Sequence, residues 1–282
     1  MEFLAPAKIN LSLLVKGRRD DGYHEIESLI APVSIFDTLD IALRDQPGID
    51  FTCDDPALPA DDTNLVVRAA KLFCAEVGRE PRLRLALRTQ IPHGAGLGGG
   101  SSDAATTLLA LNALCDARLS MDALTALAAQ LGSDVPVFLH RSTATVRGRG
   151  EAVTPCAFPH ALPLLLVKPP FAVPTPWAYG RWRDSREVPD VFYAPQPMPW
   201  GALVNDLERP VFEKHLFLAQ LKMWLRAQPE VAGALLSGSG ATVFAVLKQT
   251  DEAAGLGERL RGQFGENLWI RPCEVLSDQA PA

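Results

Sequence analysis

Apolar and polar residues alternate along "KINLSLLV" (8–15) before the run turns fully apolar, the pattern of a strand buried on at least one face. A polar turn, "KGRRDDGYHE", precedes a second strand-like run, "IESLIAPVSI", and "DTLDIAL" and "GIDFTC" predict two more strands. Asp62 or Thr63 is placed to cap a helix through "NLVVRAAKLFCAEVG", which Gly78 ends. "RLRLALRTQI" alternates cleanly and predicts a strand running straight into "GAGLGGGSS". Beyond the glycines, Ala104, Leu108, Leu111 and Cys115 recur at helical spacing, with Ser101 or Ser102 as a suitable N-cap. A further helix begins near Ser120, carries Leu124, Leu127, Ala128 and Leu131 on one face, and stops at Gly132. Strands interleave with helices, so the class is α/β or α+β.

The pattern changes near Pro155. Eleven of the 23 prolines lie between Pro155 and Pro199, a density that disfavours long helices and central strands. This predicts a domain junction followed by an irregular, rigid covering segment, and divides the chain into residues 1–155 and 156–282. Later, "VFEKHLFLAQLKMWLRAQ" predicts an amphipathic helix, "GALLSGSGATVFAVLK" a strand, a small-residue turn and a strand, and "EAAGLGERLRGQF" another helix.

At 282 residues the chain exceeds one average domain, and 48% hydrophobic with 21% charged residues is the make-up of a soluble globular protein. A net charge of -6 argues against sequence-independent nucleic-acid binding, which needs a basic footprint. Five scattered cysteines, with no metal-ligand spacing among them, predict reduced thiols and a cytoplasmic setting. Lys8 and Asn10 interrupt the apolar amino terminus, so no signal peptide is expected. No run is long enough to predict a membrane span either.

The glycine run carries the chemistry. A strand, a glycine-rich loop and a helix suit phosphate, because successive backbone N–H groups converge on the anion and the helix N-terminus adds about half a positive charge. A Walker loop needs a lysine that is absent here, and the dinucleotide fingerprint fits only with its third glycine misplaced. Ser101 and Ser102 add hydroxyls able to meet a phosphate oxygen or the magnesium that accompanies a nucleoside triphosphate. Asp134, just past a helix end, either caps the next turn or serves as a base. Lys8 is either a solvated edge lysine or a buried functional cation, and Asn10 shares its strand face.

"PHGAGLGGGSSDAA" resembles the phosphate loop of the GHMP kinases. Around it, "PAKINLSLLVKGRRDDGYHEIESL", "TNLVVRAA", "LGSDVPVFL", "PTPWAY", "NDLE" and "SGSGATVFAV" resemble, in order, motifs of one branch of that family. That branch phosphorylates 4-diphosphocytidyl-2-C-methyl-D-erythritol on the non-mevalonate route to isoprenoid precursors. The resemblance implies an α+β fold of two domains, the first like domain 2 of ribosomal protein S5 and the second ferredoxin-like. It implies ATP and Mg2+ as cofactors, a small-molecule acceptor phosphorylated on its 2-hydroxyl, and no nucleic-acid or membrane partner. A monomer or weak homodimer is expected. Kinases of homoserine or mevalonate, and a non-catalytic sensor on the same fold, are the rival readings.

Residue by residue, the resemblance makes Asp134 the base that takes the acceptor hydroxyl's proton, with Lys8 beside it. It assigns Pro92, His93, Gly94, Ala95, Gly96, Leu97, Gly98, Gly99, Gly100, Ser101 and Ser102 to ATP, with Asn64 and Leu65 toward its adenine and Ser102 toward the metal. Asn10, Tyr23, His24, Thr175, Tyr179 and Gly240 fall to the acceptor, Tyr23 and either Tyr179 or Trp177 sandwiching the cytosine. Many relatives carry a lysine just before the phosphate loop. Here the matching position is Thr89, and Arg88 beside it points to the other strand face.

Overall fold

A computed structural model describes residues 1–158 and 162–276. In chain order the elements are β1 (Glu2–Arg18), β2 (His24–Leu43), β3 (Gly48–Cys53), α1 (Leu65–Glu76), β4 (Arg82–Arg88), α2 (Gly99–Leu114), α3 (Met121–Leu131), α4 (Val135–Phe138), β5 (Ala144–Gly148) and β6 (Ala152–Pro155). Then come β7 (Pro163–Lys168), α5 (Thr175–Arg181), β8 (Gln196–Met198), β9 (Gly201–Asn205), α6 (Glu208–Lys214), α7 (Leu216–Arg226), β10 (Val231–Leu236), β11 (Val243–Leu247), α8 (Ala253–Phe264) and β12 (Trp269–Glu274).

Two sheets organise the chain. The first has eight strands, with the path β3-β4-β2-β1-β9-β8 and β5 and β6 branching from β2; the second has four, ordered β10-β11-β7-β12. Helices α1 to α4 cover one face of the first sheet, where Phe73, Leu85, Leu108 and Leu127 meet in one core. Helices α6 to α8 cover the second sheet through Val211, Leu221 and Leu256. Strict alternation along the strands builds a third core between the sheets. Leu165 and Val167 of β7 face the helices, while Leu164 and Leu166 join Ile9, Val33 and Phe244 in the inter-sheet layer. The class is α+β.

Several elements depart from the pattern reading. The two runs after the first turn form one twenty-residue strand, β2, with Pro32 opposite Lys8 in an antiparallel ladder broken by register shifts. A central strand, β7, lies inside the proline-dense segment. Pro163 occupies its first position, where no ladder donor is lost, and the five residues after it contain no proline. The single helix expected over 211–228 is two helices, broken at His215, whose φ of -116° and ψ of 72° are not helical. Strand β9 returns to the first sheet, parallel to β1 at Ser12–Val204, so residues beyond 155 complete that sheet.

Candidate active site

Strand β1 puts Ile9 into the inter-sheet core and turns Lys8 and Asn10 the other way. Lys8 is 4% exposed, and its Nζ donates to Asn10 Oδ1 at 2.6 Å. Asn10 Nδ2 donates in turn to Ser28 Oγ at 2.8 Å, so β2 fixes the amide that fixes the lysine. Asp134 Oδ2 lies 3.8 Å from Lys8 Nζ. Asp134 occupies the N-cap position of α4 but makes no side-chain cap bond, which leaves its half-exposed carboxylate to the lysine. Burial pulls the Lys8 ammonium below its ordinary range, and the Asp134 charge partly opposes this.

The glycine loop crosses above this pair. Lys8 N–H donates to Leu97 O at 2.9 Å. Gly98, at φ 75°, is the true N-cap of α2, and a Cβ there would stand 2.7 Å from Phe138 and 3.1 Å from Lys8 Cγ. Ser101 and Ser102 therefore sit inside the first turn and do not cap it. A side-chain cap would occupy first-turn amides, and glycine leaves them to an anion. Gly96 meets the second sheet: Ser237 Oγ donates to Gly96 O at 3.0 Å and Thr242 N–H to Ala95 O at 3.1 Å. The turn 237–240 thereby touches the loop, while Gly238 packs against Lys8 and Asn10.

A cavity of about 1310 Å³ joins these groups. At one end it is lined by Leu65, His93, Gly94, Gly96, Gly98 to Ser101 and Asp103; at the other by Tyr23, His24, Thr175 and Tyr179; Lys8, Asn10 and Asp134 lie on the same wall system. Leu97 is buried in the inter-sheet core, and Gly240 stands behind Gly238 and Ser239, next to Leu236. Ser102 Oγ and Asp103 Oδ1 are buried without a hydrogen-bond partner, orphans that a nucleotide's phosphate or its metal would satisfy. Burial, with the Asp37 charge added, pushes the Asp103 carboxyl well up.

At the adenine-facing end assigned by resemblance, Asn64 turns out to be the cap of α1, in place of Asp62 or Thr63. Its Oδ1 accepts from Val66 N–H at 2.9 Å and its Nδ2 donates to Pro59 O at 2.8 Å. Thr89 lines the cavity and donates to Asp37 Oδ1 at 2.9 Å, while Gln90 and Ile91 N–H groups donate to the same oxygen. Arg88 faces away and pairs with Glu2 at 2.6 Å.

At the other end the His24 and Tyr179 rings lie 5.3 Å apart, tilted by 33°, and Trp182 meets His24 edge-on at 6.2 Å. Tyr179 lines the cavity. Trp177 packs into the second core under Lys214, whose Nζ sits 4.3 Å from its ring. Tyr23 is half exposed, with Arg149 5.1 Å over its ring. Thr175 Oγ1 and Ser239 Oγ share a hydrogen bond of 2.8 Å, tying α5 to the 237–240 turn. Burial and the charges of Arg18 and Arg183 hold His24 below its ordinary range, so it is neutral at neutral pH.

Residues 64–142 match the GHMP kinases N terminal domain, and residues 194–266 match the GHMP kinases C terminal domain. A 4-diphosphocytidyl-2-C-methyl-D-erythritol kinase of Methylacidiphilum infernorum is 43% identical over 278 residues, covering 96% of each chain. The chain belongs to the GHMP kinase family. Among solved GHMP kinase structures, a 4-(cytidine 5'-diphospho)-2C-methyl-D-erythritol kinase superposes with a TM-score of 0.80 at 38% identity, covering 98% of this chain and 100% of that one. A homoserine kinase from Cytophaga hutchinsonii superposes at 0.70 with 19% identity, covering 99% and 95%, which shows the shared fold alone. Within this GHMP kinase site the sequence reading missed Ser28, Asp37, Trp182 and Asp103. Trp182 had a readable signal, since it follows Tyr179 by one helical turn. Ser28 and Asp37 had none, because their roles depend on partners eighteen and more than fifty residues away.

Proposed function

We propose that this GHMP kinase transfers the γ-phosphoryl group of ATP to the 2-hydroxyl of 4-diphosphocytidyl-2-C-methyl-D-erythritol. The observation that carries the reading is one continuous cavity running from the glycine loop past Lys8 and Asp134 to His24 and Tyr179. A phosphate end and an aromatic, base-holding end suit a triphosphate and a cytidine acceptor meeting between them. The relatives named above support the acceptor's identity.

In this reading the acceptor hydroxyl gives its proton to Asp134 as its oxygen bonds to the γ-phosphorus, and the bond to the β-bridging oxygen breaks to release ADP. The transition state is loose, so the placement of the aspartate matters more than its basicity. Lys8, held by Asn10 and lying beside Asp134, stabilises charge on the attacking oxygen. Neutral His24 is suited to hydrogen-bond a base edge, and Tyr179 offers a ring face to it. Magnesium would be held with the nucleotide near Ser102, where it would neutralise phosphate charge. The five free cysteines support a reducing, cytoplasmic setting, and a site drawn from one chain supports a monomer or weak homodimer as the working unit. Among the described residues no helix is long and apolar enough to cross a membrane.

The test is ADP release by the purified protein with the cytidine acceptor, homoserine and mevalonate side by side. Turnover with the cytidine acceptor alone is expected. Turnover with either of the others would reassign the substrate, and none with any would favour a sensor.

A further inference from the structure

Asn205, Asp206 and Glu208 do not line the cavity, yet their side chains bond to the backbone of two segments that do, β1 and the 237–240 turn with its leading residue Leu236. Asn205 ends β9 beside Leu13 of β1, the strand that carries Lys8 and Asn10. Asp206 locks that crossing: its N–H donates to Leu13 O at 2.9 Å, and its Oδ2 accepts from Val15 N–H at 2.8 Å. From this fixed point the Asn205 side chain, 5% exposed, reaches into the second sheet. Its Nδ2 donates to Leu236 O at 2.7 Å and to Gly238 O at 2.8 Å, and its Oδ1 accepts from Leu207 N–H at 2.9 Å. Glu208 Oε1 accepts from Leu236 N–H at 3.1 Å, while its other carboxylate oxygen holds the buried Lys222 at 2.5 Å.

Gly238 links this anchor to the chemistry. It stands at φ 56°, and a Cβ on it would lie 3.3 Å from both Lys8 Nζ and Asn10 Oδ1. The turn therefore helps to keep water from the Lys8 ammonium. Asp134, at the start of α4, is the charged group that faces this ammonium. Strand β1 gives it the Asn10 amide, β2 places Pro32 across the ladder, and the turn brings only glycines and serines.

We propose that Asn205 is a positioning residue for phosphoryl transfer: by tying the carbonyls of Leu236 and Gly238 to the β1–β9 crossing, it sets the turn against Lys8 and Asn10 and fixes where the lysine meets the reacting oxygen. This rests on the role given to Lys8 above. A carboxamide suits the position because it supplies two donors for two carbonyls and an acceptor for the third bond. A misplacement of about 1 Å in a site's support costs catalysis up to about a hundredfold.

The test is Asn205→Ala in the full chain, with the kinase assay and amide hydrogen exchange read together. The kcat should fall about tenfold to a hundredfold, while the KM values for ATP and the acceptor change by less than about threefold. The alkaline limb of kcat should also move up toward the ordinary lysine value of 10.5, because a loosened turn readmits water to an ammonium whose pKa burial lowers. General destabilisation lowers activity without moving that limb. Exchange should rise over residues 237–242 and stay as in wild type over α3. An unmoved limb, or unchanged exchange in the turn, overturns the proposal. If Asn205→Ala does not fold, Asn205→Ser keeps one donor for the two carbonyls and is read by the same limb and the same exchange, with the same two results overturning it. Wild type tests the kinase reading separately. Absence of turnover with every acceptor refutes that reading, and exchange in the variant then decides whether Asn205 anchors the turn.

Discussion

Lys8 Nζ lies 3.8 Å from the carboxylate of Asp134, and the two groups differ sharply in exposure, the lysine at 4% and the aspartate side chain at 46%. A buried cation thus leans on an open carboxylate. The lysine is tethered by Asn10 at 2.6 Å, so the aspartate is the member with freedom to meet an incoming hydroxyl. That asymmetry suits a base that must first accept a proton and then release it to water.

Asp134→Asn keeps the shape and removes the basicity. Phosphoryl transfer should fall by about 10²–10⁴-fold, the usual contribution of a placed base, with ATP binding retained. Single-turnover ADP formation and nucleotide titration check the two halves separately. Near-normal turnover would remove Asp134 from the role.

The alkaline limb of kcat should reflect Lys8. Its charged form is the active one and exists below its pKa, and burial lowers that pKa from the ordinary 10.5. Activity should therefore decline as pH rises, at a pH below the ordinary lysine range. Arginine stays charged throughout, so in Lys8→Arg whatever activity survives should lack this limb. A limb at or above the ordinary lysine value would contradict the buried-cation role.

Tyr179 and Trp177 lie two residues apart and should behave differently. Tyr179→Ala should raise the KM for the cytidine acceptor about tenfold or more and spare ATP, as loss of a stacking face does. Trp177→Ala removes a ring from the second core and should cost about 2–4 kcal/mol of stability, read by urea denaturation, with a smaller effect on the acceptor KM. Equal effects of both on the KM would mean that the base lies elsewhere.

Gly96 and Gly100 separate strain from spacing. A Cβ on Gly96 would stand 2.2 Å from Ser237 O at a φ of 76°, against 3.5 Å from Leu65 at Gly100. Gly96→Ala should destabilise by at least about 2 kcal/mol. Gly100→Ala, inside α2, should be neutral or stabilising by up to about 1 kcal/mol, because alanine is the better helix former. Thermal denaturation without ligand checks both.

The buried carboxyl of Asp103 has an oxygen with no partner, and burial raises its pKa in the folded chain. Between the unfolded value of 3.8 and the raised folded value, folding takes up a proton, so this group's contribution to stability falls as pH rises. Asp103→Asn should then stabilise the protein more at pH 8 than at pH 5 (round values of about those magnitudes, either side of neutrality). Urea midpoints at the two pH values measure it. An equal gain at both would show that Asp103 titrates normally.

Local pattern was sufficient for the features whose cause is local. Alternation along residues 8–15 and 82–88 made strands, and the spacing of Leu124, Leu127 and Leu131 made α3, capped by Ser120. Glycines before a helix indicated an anion site, because backbone geometry alone decides which N–H groups remain free. Motif order supplied the family and the names of Lys8 and Asp134. The proline count misled for β7, since a strand that starts on proline loses no ladder bond. What needed the tertiary structure was everything set by partners distant in the chain. Asn10 was readable as a site residue but not as the tether of Lys8, which Ser28 of β2 completes. The resemblance assigned Asn64 to the nucleotide, while its place as the cap of α1 was not legible in the sequence. The choice of Tyr179 over Trp177 as the cavity-lining ring depended on how α5 lies between the second core and the cleft. Periodicity assigns side chains to faces of an element, and only packing decides which face becomes core and which becomes site.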